Sequence, residues 1–381
     1  MIHELQAADV RKAALSFLET HMPLGIEGYQ VTSEMLWHVL MKAAVEQSSV
    51  EAASQDLVAV AHGNTLREHL YEQFSVTELV AQEVAQNAVL AATLPREMRG
   101  RQVNLAIDFH DEPFYGKTAE ARCYVCRGKA QEGTTHFWRI ATAYVMWGDL
   151  RVTLALTYVL PEHRVLDVLE RLLYRVAQTP VQVKRLYLDK GFCSGDVIQF
   201  LQQHRYSAVI ACPIRGKERG TRALCQGRKS YRTTYTFTDG TTVEVAVVAT
   251  LPENGQGLRQ RKWLLFVLID VAWSPRKVKH HYRRRFGIEA SYRQLGRVRI
   301  LTNGVNPAWR FFVLGFALLL VNIWLWLRWR FTLRLQPGRY RVKADLFRLQ
   351  RFIQFLRRAI EHYCGVIMSI PTHLPPQSVI H

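Results

Sequence analysis

The sequence predicts an α/β protein with a mixed central sheet flanked by helices and a helical N-terminal part. Three observations carry that expectation. Residues 1–100 show helical apolar spacing and few strand signals. From Arg101 onward, β-branched and aromatic runs alternate with amphipathic stretches. Two of the strand-like runs, Val103–Asp108 and Lys184–Asp189, each end in an acid, and ligands of open α/β sheets collect at strand ends.

Composition narrows the class. The chain has 381 residues, 49% of them hydrophobic, enough for a sizeable core and too apolar for a disordered chain. Fifty Lys and Arg against 32 Asp and Glu leave a formal charge of +18, which points to a polyanionic partner, most commonly nucleic acid. Six scattered cysteines form no disulfide framework. Cys123 and Cys126 have CxxC spacing but lack a second ligand pair at zinc-finger distance, so reduced thiols and a cytoplasmic, nucleoid-associated location are expected. Met1 to Val10 carries Glu4 and Asp9 and lacks the apolar centre of a signal peptide. Phe311–Leu327 is free of charge over 17 residues, the lower edge of a membrane span; with Asn322 inside it, the expectation is a core helix and no membrane.

In the N-terminal part, Ser48–Phe74 reads as a short helix, a turn at Gly63 and a second helix capped by Asn64 or Thr65. This is the pattern of a helix-turn-helix that would offer Asn64, Arg67 and Glu68 to a DNA groove. After the first acid-ending strand come two strands around Gly148-Asp149 (His136–Trp147 and Leu150–Leu160), a helix over Arg164–Ala177, the second acid-ending strand, a helix from Ser194, and a strand over Ser207–Ile214. Arg215–Arg261 changes texture, with Gly, Thr and basic residues and a hairpin turn at Thr238-Asp239-Gly240. Trp263–Val271 returns to a buried strand, and a long helix is expected from about Ser274 to Arg297. The domains so read are a helical DNA-binding domain at 1–100 with the helix-turn-helix at 48–74, a core at 101–214 and 262–330, a β-rich insertion at 215–261, and a basic C-terminal tail at 331–381. Gly116-Lys117-Thr118 mimics the end of a phosphate loop, but position 111 is Asp where that loop requires Gly.

The chemistry is carried by three acids. Nucleases that use two metal ions need carboxylates converging from separate elements, and Mg2+ suits such hard oxygen ligands while keeping waters for substrate phosphates. Asp108 and Asp189 close strands, and Glu289 lies in the stretch His280–Arg297 among Arg283, Arg284, Arg285 and Arg293. On a helix Tyr282, Arg285 and Glu289 fall three and four residues apart on one face, where arginines can grip phosphates while the acid grips metal. A lone acid after a strand is ordinarily a loop cap; the surroundings of Glu289 raise the three above that reading.

Tyr282, Arg285 and Glu289 resemble the Tyr-x2-Arg-x3-Glu-x6-Lys signature of the DDE transposases of bacterial and archaeal insertion sequences, particularly the halobacterial-type subgroup; the Lys position falls on Gly296, with Arg297 beside it. Ile107-Asp108-Phe109, Tyr187–Phe192 and Asn322-Ile323-Trp324 are similar to that family too. The resemblance implies an RNase H-like catalytic core with an inserted β-rich subdomain between the second and third acids, which accounts for the 100 residues from Asp189 to Glu289. It implies catalysis and metal binding by Asp108, Asp189 and Glu289, with Mg2+ as cofactor and Mn2+ able to substitute. It implies phosphate contacts from Tyr282 and Arg285, and a homodimer on paired element ends that joins them to target DNA; Arg284, Arg293 and Arg297 of the same stretch, and Asn64 and Arg67 of the helix-turn-helix, are expected as further DNA contacts. Trp263 and Trp273 are expected to pack in the core, or to stack on a displaced base. The rival readings are an RNase H-like nuclease without strand transfer and a degenerate, non-catalytic DNA-binding protein.

Overall fold

The computed structural model describes residues 4–369 apart from Glu27, Tyr29, Lys117, Thr118, Asp149, Glu218, 251–261, Pro337, Gly338 and Ala344, and describes 333–342 as backbone only. The end of the loop-like Gly116-Lys117-Thr118 motif and the last part of the expected insertion lie outside the described residues.

Five helices open the chain: α1 (Ala7–His21), α2 (Ser33–Glu46), α3 (Val50–Gln55), α4 (Gly63–Gln73) and α5 (Leu79–Ala92). Thr32 and Ser49 start α2 and α3 by accepting the Met35 and Ala52 N–H groups. The cap of α4 is His62 rather than Asn64 or Thr65. Strand β1 (Gln102–Pro113) follows, then α6 (Ala119–Arg122), β2 (Cys126–Gln131), β3 (Thr134–Trp147), β4 (Leu150–Val159), α7 (Val165–Ala177), β5 (Gln182–Leu188), α8 (Gly195–Gln203) and β6 (Ala208–Cys212). The remaining elements are β7 (Tyr231–Thr236), β8 (Thr242–Thr250), β9 (Lys262–Ile269), α9 (Pro275–Arg283), α10 (Gly287–Leu295), α11 (Pro307–Thr332), β10 (Leu333–Gln336), β11 (Arg339–Val342) and α12 (Leu349–Cys364).

The sheet runs β4-β3-β1-β5-β6-β9-β8-β7, with β2 also on β3. Its first five strands are an RNase H-like arrangement: β4, β3 and β1 antiparallel, then β1, β5 and β6 parallel. The insertion expected at 215–261 does contain a hairpin, β7–β8. That hairpin does not stand apart, because β8 pairs along β9 and β9 along β6, so the inserted strands widen the central sheet. One apolar cluster lies between the sheet and α7–α8, and a smaller one on the face that includes Tyr187, Val278, Tyr282 and Ile288.

The third and largest cluster joins the N-terminal helices to α11 and α12. The segment expected as a basic tail is therefore corrected in part. Leu349, Phe352, Ile353, Leu356 and Ile360 form an i, i+3, i+4 stripe that α12 buries against α1 and α2, while its arginines face outward. The charge of that segment hid its periodicity. Helix α11 contains the uncharged run and is long and apolar enough to cross a membrane; 83% of its most apolar window is buried within this fold, as expected of a core helix.

Candidate active site on two adjacent strands

Strands β1 and β5 lie side by side and parallel, with Ile107 opposite Leu188, so the chain leaves the sheet at Asp189 beside Asp108; the strand expected to end at Asp108 instead continues to Pro113, held there by β3 alone. Phe109 and Phe192 stack at 4.5 Å next to the two acids, and the Phe109 N–H donates to Asp108 Oδ1 at 3.0 Å. Both carboxylates are partly buried, their side chains 16% and 33% exposed.

Against these strand ends packs the stretch expected as one long helix. It is broken: α9 ends at Arg283, a 3-10 turn spans Arg284–Phe286, and α10 begins at Gly287. A 3-10 residue turns the chain by about 120° against 100° in an α-helix, so three of them advance the face by roughly 60°. That shift separates the residues expected on one face: Tyr282 and Arg285 point inward and are buried, whereas Glu289 is exposed.

The inward residues hold the acids. The Arg285 Nη2 lies 2.8 Å from Asp108 Oδ2 and 3.4 Å from Asp189 Oδ1. Tyr282 donates its hydroxyl to the Leu188 carbonyl at 3.0 Å. Tyr292 donates to the Asp108 carbonyl at 3.4 Å, and its hydroxyl pairs with that of Thr142 at 2.6 Å. Each acid-bearing strand is thus tied, at or next to its acid, by a tyrosine from the interrupted helix. Burial pushes the Asp108 carboxyl up to about 6, with Arg285 opposing and Asp189 adding to the rise. Burial likewise raises the phenols of Tyr282 and Tyr292, which stay protonated donors.

Asp108 and Asp189 come together as expected. Glu289 does not close the set, since the three carboxylates form no group of ligand atoms within 4.8 Å of one another, but its charge reaches Asp108 and adds to the rise of that carboxyl. The one grouping of that kind among the described residues is Glu46, Asp56 and Glu361, and the buried Lys42 ammonium already sits among those three acids. Tyr282 and Arg285, expected on phosphates, are turned to the strand ends here. Arg284, Arg293 and Arg297 are exposed, as are Asn64 and Arg67, which bond to each other at 3.2 Å. Arg297 also donates to Gln350 of α12. Helices α3 and α4 form the expected pair, but their seven-residue link (56–62) is longer than the usual three- or four-residue turn. Its Val58 and Ala59 N–H groups bond to the carbonyls of Gly365 and Cys364.

Trp263 packs in the core beside the sheet. Trp273 has His281 stacked at 4.3 Å and the Arg185 guanidinium at 4.0 Å. Cys126 is buried, with Sγ 3.6 Å from the Val159 carbonyl, while Cys123 is exposed. The insertion's Arg215, Lys217 and Arg219 line a cavity of about 780 Å3 with Tyr235 and Phe237, next to Cys193–Gly195. A Cβ at Gly195 would stand 1.5 Å from Asp239 Oδ2 of the β7–β8 turn, so a side chain there would displace that carboxylate. Sequence reasoning missed Tyr292 and Thr142; the available signal was Tyr292 lying three residues after Glu289, one helical turn along.

A family model described as "Transposase DDE domain" matches residues 162–321, a stretch that includes Asp189 and Glu289 and starts after Asp108. A solved structure, the piggyBac transposase synaptic complex with hairpin DNA, is similar in fold with a TM-score of 0.55 at 11% identity, covering 95% of this chain and 78% of that one. No curated protein matches the sequence.

Proposed function

We propose that the chain is a transposase that binds the ends of an insertion sequence, cleaves the DNA and joins the freed 3′-hydroxyls to target DNA. The observation that carries this is the pair Asp108 and Asp189, side by side where the parallel pairing of β1 and β5 stops, facing an interrupted helix that bears Glu289. The transposase domain match over 162–321 and the likeness in fold support it.

The donor set fits a divalent cation: hard carboxylate oxygens, two of them on one cationic nitrogen, so the space between them already accommodates positive charge. Asp108 and Asp189 would hold the first ion, and Glu289 would complete the site for a second. Mg2+, replaceable by Mn2+, would activate the attacking water or 3′-hydroxyl and stabilise the leaving oxygen. The chain's own residues fix the acids through Tyr282 and Tyr292. Exposed Arg283, Arg284 and Arg293 on the same segment, and Asn64 and Arg67 on α4, bind DNA. Two ends are cut in one complex, which calls for a homodimer with one site per end.

The test is strand cleavage of end-bearing DNA in Mg2+ by Asp108→Asn, Asp189→Asn and Glu289→Gln. Each is expected to lose cleavage, by more than about a thousandfold, and to retain DNA binding. Full cleavage by any one of the three removes that residue, and with it the reading.

A further inference from the structure

We infer that Arg285 is a positioning residue that keeps Asp108 and Asp189 from taking up metal until a phosphate of bound DNA draws its guanidinium away. The inference rests on the metal-site reading above and adds an order to it, DNA before metal.

The contacts argue for this directly. One nitrogen of Arg285 reaches an oxygen of each aspartate, at 2.8 and 3.4 Å. A guanidinium in that position uses the lone pairs and answers the charge that a divalent ion would use, so the two compete. Arg285 is 4% exposed, so this competition takes place away from bulk water, where an ion pair is little screened. The aspartates are also not the best partners it can find. Its Nε is buried with no hydrogen-bond partner, so the planar fork of donors is only partly used. A phosphate offers the fork-shaped acceptor that a guanidinium matches with two parallel bonds.

The location permits the exchange. Arg285 sits in the 3-10 turn between two helices, where hydrogen-bond geometry is poorer than within either of them. Arg283 and Arg284 beside it are exposed, so DNA following those cations brings phosphates next to Arg285. Leaving the aspartates exposes two adjacent carboxylates to each other, and the entering cation then compensates them. Metal loading and DNA binding thereby favour each other, as linkage requires.

The measurement is Mn2+ affinity of the full chain by titration calorimetry at pH 8, with and without a short DNA duplex at low salt. DNA-free Arg285→Gln is expected to bind Mn2+ at least tenfold more tightly than the unmodified chain, with Arg285→Lys in between. The duplex is expected to raise the affinity of the unmodified chain and to leave that of Arg285→Gln nearly unchanged. Equal or weaker Mn2+ binding by Arg285→Gln overturns the inference. Should that variant fail to fold, absence of any duplex effect on the unmodified chain overturns it equally. Asp108→Asn separates the two levels. If it abolishes Mn2+ binding while Arg285→Gln changes nothing, the metal site stands and the ordering falls; if Asp108→Asn binds Mn2+ normally, the site itself falls.

Discussion

Asp108 is the residue at which fold and chemistry pull in opposite directions. Burial lifts its carboxyl to about 6 even though Arg285 is in contact, because the desolvation cost outweighs the ion pair and Asp189 adds a like charge. An acid raised in the folded state contributes its stability below the ordinary carboxylate range near 3.8 and loses it as pH climbs through 6. Ionised at neutral pH, Asp108 therefore costs on the order of 3 kcal/mol of fold stability. Asp108→Asn cannot ionise. Its stability relative to the unmodified chain is expected to improve by up to about that amount between pH 4 and pH 7, read by urea unfolding at several pH values. A difference that stays flat across that range contradicts the account. The strain is of the kind active sites hold, and metal is what would relieve it.

At the scale of elements, the sequence made regular features legible and left the interruptions hidden. The strand that stops before Asp189, the β7–β8 hairpin and the apolar helix follow from apolar period and turn residues, whereas β1 runs five residues beyond Asp108, and the Asp108–Asp189 pair was legible only through the family resemblance. The 3-10 break at Arg284–Phe286 leaves no mark in a run of arginines, so the outward turn of Glu289 was illegible, and so was the inward hold of Arg285. Asn322 is the instructive middle case. In the sequence it is a polar flaw within an apolar run. In the fold it cross-links the free edge of β4: its Oδ1 accepts the Thr153 N–H at 3.1 Å, and its Nδ2 donates to the Thr153 carbonyl at 2.7 Å. Asn87 of α5 does the same for Leu156, at 3.0 and 2.8 Å. Two asparagines thus replace the missing neighbour strand, which a buried sheet edge otherwise lacks. Asn322→Leu would raise the hydropathy of α11 yet leave one N–H and one C=O buried and unpaired. The expected loss is roughly 2–4 kcal/mol of unfolding free energy, measured by denaturant titration. A neutral or stabilising result would show that the edge is satisfied in another way.

Over the whole molecule, the question is what joins the N-terminal helices to the rest, since on the proposed function DNA at α4 would be presented to Asp108 only if that joint is firm. Helix α11 crosses from one cluster to the other, and α12 returns to close the bundle. The polar tie within that closure is Lys42, fully buried on α2. Its ammonium lies 2.7 Å from Glu46, 2.7 Å from Asp56 in the α3–α4 link, and 3.3 Å from Glu361 on α12. Burial pulls the Lys42 amine down, but its bonds to Asp56 and Glu46 outweigh that and hold it above its usual value. Arg357 shares Glu46 and Glu361 from the solvent side, and so cannot replace the buried charge. Lys42→Met keeps the length and apolar stem of the side chain and leaves three carboxylates facing one another. The expected cost is about 3–5 kcal/mol, and it should fall unevenly. Hydrogen exchange is expected to speed up across residues 349–364 and 56–62 while the amides of β1 and β5 keep their protection. Protection of α12 that matches the unmodified chain would mean that its apolar stripe and the bonds from Val58 and Ala59 to Gly365 and Cys364 are enough to dock it. In that case the buried lysine would be incidental to the joint.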